Sequence, residues 1–69
     1  MTNKLMLRIT ISESLINELY DTKQYTAYKA DCITYYTERL FNELPDEQLL
    51  NMTIDDFRCI LYREMNVVE

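Results

Sequence analysis

Residues Leu7 to Leu19 read LRITISESLINEL, and the fold turns on how the first half of that stretch is read. From Lys4 to Ser12 the residues alternate, with Leu5, Leu7, Ile9 and Ile11 on one side and Lys4, Met6, Arg8, Thr10 and Ser12 on the other. Alternation with a period of two over this length predicts a half-buried β-strand. After Ser12 the rhythm changes. Leu15, Ile16, Leu19 and Tyr20 recur at helical spacing, and Ser12 or Ser14 is suited to cap a helix over 13–23. A lone strand leaves its backbone donors and acceptors unsatisfied. With no second strand along the chain, its expected partner is a second copy.

Downstream, the chain reads as helix. Thr26 is placed as the next N-cap, and a longer helix follows to about Leu44, with Ala30, Ile33, Thr37, Leu40 and Leu44 along one stripe and Tyr36 and Phe41 beside it. Pro45 disfavours helical geometry at Leu44 and is itself suited to a first turn, which predicts a short helix over 45–50. In MTIDDF, from Met52 to Phe57, Thr53 is an N-cap with Asp56 three residues on. This approximates a capping box, and Met52 and Phe57 are spaced as a hydrophobic staple. Ile54, Phe57, Leu61, Met65 and Val68 give the last helix its apolar stripe. The expectation is a single domain over 1–69, mainly α with one N-terminal strand.

Size, charge and composition narrow the function. A chain of 69 residues is near the limit for one self-sufficient core, where disulfides, a metal or oligomerisation usually help. There is no histidine, and Cys32 and Cys59 lie far apart, so no metal-ligand cluster can be written and no cofactor is expected. The two thiols read as small buried hydrophobes. Oligomerisation is the remaining stabiliser. No apolar run approaches the roughly 20 residues that span a bilayer, and no signal peptide is evident, so a soluble, cytoplasmic protein with no membrane partner is expected.

The net charge of −5 argues against nonspecific affinity for nucleic acid. The excess is local. Residues 1–40 balance Lys4, Arg8, Lys23, Lys29 and Arg39 against Glu13, Glu18, Asp21, Asp31 and Glu38. Residues 41–69 set only Arg58 and Arg63 against Glu43, Asp46, Glu47, Asp55, Asp56, Glu64 and Glu69. Without histidine, a glycine-rich phosphate loop or a metal motif, an enzyme is not expected.

The strand-then-helix stretch LRITISESLINEL resembles the ribbon-helix-helix family of Arc-, methionine- and CopG-type repressors. That resemblance covers residues 4–44 and leaves 45–69 as an acidic C-terminal helical extension. It implies a homodimer whose two strands form one ribbon, with Leu7, Ile9 and Ile11 on the buried face. The other face would enter the major groove of operator DNA, with Met6, Arg8 and Thr10 reading bases. Thr26 would lie at a phosphate-holding helix start, and Lys4, Lys23 and Lys29 would contact the DNA backbone. The implied function is a repressor, or the antitoxin of a toxin pair.

A second reading comes from another class: a small acidic phage-type inhibitor, similar to anti-CRISPR proteins, acting by protein–protein contact. Its carboxylates would take the place of phosphates on a host nucleic-acid-binding enzyme. On either reading the candidate partner-binding residues are Asp46, Glu47, Asp55, Asp56 and Tyr62. Tyr20, Tyr25, Tyr28, Tyr35 and Tyr36 crowd into one short stretch, some expected in the core and others at a dimer or partner surface.

Overall fold

The computed structural model describes residues 4–67, and they form four helices: α1 (Lys4–Asp21), α2 (Ala27–Glu43), α3 (Asp46–Asn51) and α4 (Ile54–Val67). No strand occurs among the described residues. The predicted strand over 4–12 is therefore corrected to the first half of α1. The ribbon-helix-helix arrangement built on that strand falls with it.

The physical reason lies in which apolar residues are covered. Leu7 and Ile11 continue at four-residue spacing into Leu15 and Leu19, one stripe running the length of an α-helix. Leu15 and Leu19 are buried, and Leu7 and Ile11 pack against the core. Leu5 and Ile9, expected on the same face, are 54% and 40% exposed. A helix also satisfies its own backbone, which a single strand cannot. Ser12 and Ser14 lie inside the helix rather than at its start.

The connection to α2 contains no glycine. Lys23 takes the left-handed conformation (φ 60°) in its place. The Lys23 amide donates to the Tyr20 carbonyl at 3.1 Å and the Gln24 amide to the Leu19 carbonyl at 2.8 Å, the paired bonds of a Schellman C-cap. That conformation costs a non-glycine residue about 1–2 kcal/mol. Glycine would return part of the gain as unfolded-state entropy. Lys23→Gly is expected to stabilise the chain by about 1 kcal/mol and to raise Tm by about 4–8 °C. A thermal melt that is unchanged or lower would mean that the lysine stem makes offsetting contacts.

The expected helix starts are seen where their chemistry is local. The Thr26 hydroxyl accepts from the Lys29 amide at 3.0 Å. At the head of α4 the Asp56 amide donates to the Thr53 hydroxyl at 3.1 Å, and the Thr53 amide donates to the Asp56 carboxylate at 3.3 Å. Leu44, ahead of Pro45, is extended and ends α2.

Helix α1 packs on α2, and α2 on α4. Leu15 and Leu19 meet Ile33, Leu40 and Phe41 of α2, Leu49 of α3, and Phe57 and Leu61 of α4 in one core. Thr37 is fully buried among them, and its hydroxyl has no hydrogen-bond partner. Val68, expected on the α4 stripe, lies outside the described residues. Cys32 is half-buried and Cys59 exposed, both as free thiols, so Cys59 is not the buried hydrophobe expected of it.

Candidate functional site

The most enclosed concavity of substance lies where the end of α1, the start of α2 and the end of α4 meet. It is a groove of about 510 Å³. Leu19 and Ile33, both core residues, form its floor. Tyr28, Tyr36, Tyr62 and Met65 form its walls. The helical register explains the pairing. Tyr36 lies one turn beyond Cys32 and two beyond Tyr28 on α2, and Met65 lies one turn beyond Tyr62 on α4. Because Phe57 and Leu61 lock α4 onto α2, the walls are held by the core and not by loops.

Two features make this groove suited to contact. Tyr28 is 76% exposed, a large amphipathic ring already outside the core. Tyr62 is half-buried, and burial holds its phenol above the usual range, with the Glu18 carboxylate adding to the rise and the Arg58 guanidinium opposing it. The Tyr62 hydroxyl is therefore neutral at physiological pH and able to donate. Lys29 is the groove's one charged lining residue.

Beyond Tyr62 and Gln24 the groove continues into a second hollow beside Glu18, Asp21 and Arg58. There Arg58 clamps α1 to α4. Its Nε donates to Glu18 Oε2 at 3.1 Å, a second guanidinium nitrogen donates to Glu18 Oε1, and the third donates to Asp55 Oδ1. Those bonds, to Glu18 first, raise the guanidinium pKa further.

The residues expected to touch DNA are not brought together. On a helix, residues two apart point to nearly opposite sides, so Arg8 faces away from Met6 and Thr10. Arg8 is paired with Glu38 at 3.5 Å, and Lys4 with Asp46 at 2.7 Å. The Thr26 hydroxyl is occupied by its capping bond. Thr26 and Lys29 instead line the groove.

The expected partner-binding set divides similarly. Asp46 is paired with Lys4, Asp55 with Arg58, and Asp56 caps α4. Glu47 is exposed in the first turn of α3. Tyr62 alone of the five reaches the groove. Tyr28 and Tyr36 were legible as interface candidates from the tyrosine cluster. Met65 was not, because its stripe position reads as ordinary core.

Among the described residues no group of three or more His, Cys, Asp or Glu side chains could hold a metal, and no helix is long and apolar enough to cross a membrane. Comparison with protein-family models, curated proteins and solved structures finds no match to this chain.

Proposed function

We propose that this chain is a non-catalytic binding protein that acts by protein–protein contact, holding an apolar-anchored segment of a cationic partner in the groove between α2 and α4. The observation that carries the reading is the groove itself: tyrosine and methionine walls on a rigid apolar floor, open to solvent. Aromatic residues and methionine are the side chains enriched at such interfaces. A groove between two helices suits a helical segment presenting anchors at positions i, i+3 or i+4, and i+7.

Charge acts at longer range. Lys4, Arg8, Arg39 and Arg58 are engaged in internal ion pairs with Asp46, Glu38, Glu43, Glu18 and Asp55, which cancel carboxylates as well as cations and leave the net charge as it is. The net −5 then steers a cationic partner inward and sets the association rate more than the affinity.

The test is selection of a displayed random 12-residue peptide library on the immobilised chain. Enriched peptides are expected to carry two or three large apolar residues at helical spacing among Lys and Arg. Tyr28→Ala is expected to weaken their binding roughly tenfold, about 1.4 kcal/mol. Because Tyr28 is 76% exposed, it should leave the fold intact. Added salt should slow association more than it speeds dissociation. A library without enrichment, or binders indifferent to Tyr28→Ala, would remove the groove from this role.

A further inference from the structure

Tyr20 and Tyr25 are stacked on each other outside the core. Tyr20 lies in the last turn of α1 and Tyr25 just ahead of the Thr26 cap of α2, on either side of the left-handed Lys23. Their ring centroids are 4.1 Å apart and their planes 11° from parallel. Aromatic pairs more often sit about 4.5–7 Å apart, offset or edge to face. Here the two rings largely overlie each other. A hydrogen bond with Tyr25, ahead of burial, holds the Tyr20 phenol above its usual range, which places the two phenol ends together. Packing does not account for the pair. Tyr20 is 57% and Tyr25 39% exposed, and neither joins the core cluster.

The stack has a chemical consequence. When a phenol loses one electron and its proton, the unpaired electron spreads through the π system onto the oxygen and the ortho and para carbons. Two such radicals join ortho carbon to ortho carbon through π lobes that stand perpendicular to the ring planes. Parallel, overlaid rings present those lobes to each other, which is a near-attack arrangement. Tyr35 and Tyr36 supply the contrast within the same chain. Their centroids are 5.1 Å apart but their planes stand at 88°, so an edge meets a face and the lobes are crossed.

We infer that Tyr20 and Tyr25 form a site of oxidative cross-linking, at which a one-electron oxidant converts the stacked pair to dityrosine. Each phenol gives up one electron and one proton, and a carbon–carbon bond forms between the two ortho (Cε) carbons. Each ring then passes the hydrogen on that carbon to its own oxygen, which restores the phenol and leaves the pair two hydrogens lighter. Hydrogen peroxide acting through a haem peroxidase is an oxidant of the required class. It takes up both electrons and both protons and leaves as two waters. The new bond ties the last turn of α1 to the residue ahead of the α2 cap and closes the Lys23 turn covalently. Leu19 and Gln24, each adjacent in sequence to a linked tyrosine, line the groove, so the cross-link fixes that rim. The site does not depend on what the groove holds.

The test is treatment of the full chain with a haem peroxidase and dilute hydrogen peroxide, then reduction with dithiothreitol, tryptic digestion and mass spectrometry. Reduction removes any disulfide of Cys32 or Cys59 and leaves a biaryl bond. Trypsin cuts after Lys23, between the two tyrosines. Peptides 9–23 and 24–29 are therefore expected as one linked species, two hydrogens lighter than their sum, with fragmentation placing the bond on Tyr25. The linked fraction is expected to stay constant over a roughly tenfold range of protein concentration, as an intramolecular step requires. Tyr25→Phe keeps the ring but cannot form the phenoxyl radical. It is expected to lower the yield by about tenfold or more, with the helical circular dichroism unchanged. Absence of the linked pair, a bond placed on Tyr28, a yield undiminished in Tyr25→Phe or one that climbs with protein concentration would each overturn the proposal. So would an equal loss of two hydrogens within peptide 30–39, which holds Tyr35 and Tyr36.

Discussion

Phe57→Ala is expected to remove most of the stability of the fold, about 3–5 kcal/mol for a fully buried phenylalanine. A chain of 69 residues has on the order of 3–10 kcal/mol in total. The ring is 1% exposed and sits edge-on to Phe41, centroids 5.5 Å apart with 63° between planes. It is the first core residue of α4 and lies where that helix docks on α2. Truncation would leave a cavity bounded by α2 and α4, which the short α3 has little apolar volume to fill. Phe57→Leu keeps most of the volume and is expected to cost less than about 1.5 kcal/mol. Urea titration followed by circular dichroism measures both. A loss below about 1 kcal/mol for Phe57→Ala would show that α4 is not held by this seam. The groove would then lose its rigid wall, since Tyr62 and Met65 reach it only through the docking of α4.

The features legible in the sequence are those written in local chemistry. The Thr26 cap, the Thr53–Asp56 capping box and the stop before Pro45 each rest on a few adjacent residues and need no tertiary information. The LRITI segment misled because periods of 2 and 3.6 overlap over a short window. Every alternating run contains pairs four apart, and Leu7 with Ile11 satisfies a strand and a helix equally. The deciding residues are Leu15 and Leu19, which continue the helical stripe beyond the point where Ser12 was read as a boundary. The β-branched Ile9, Thr10 and Ile11 disfavour helix only by fractions of a kcal/mol each. Burial of the stripe outweighs that.

Long-range pairings carried no local signal at all. Lys4 meets Asp46 across 42 residues and Arg58 meets Glu18 across 40. These pairings took Lys4 from a DNA-facing set and Asp46 from an acidic patch, while Asp55 is taken by Arg58 only three residues on. The left-handed Lys23 was equally silent, since glycine is the residue that advertises such a position. The groove was half legible: its tyrosines on α2 were conspicuous, but its second wall comes from the far end of the chain.

The helical reading of α1 has its own decisive comparison, between two leucines that the strand and helix patterns treat differently. Leu15→Ala is expected to cost about 2–5 kcal/mol, because Leu15 is 0% exposed at the centre of the buried stripe. Leu5→Ala is expected to change stability by no more than about 0.5 kcal/mol, because Leu5 is 54% exposed. In a strand Leu5 would share one face with Leu7, Ile9 and Ile11, and its truncation would be as costly as theirs. Denaturant midpoints that fall equally for Leu5→Ala and Leu15→Ala would return the first half of α1 to an alternating, one-sided burial. A large loss for Leu15→Ala alone fixes the register of the whole helix.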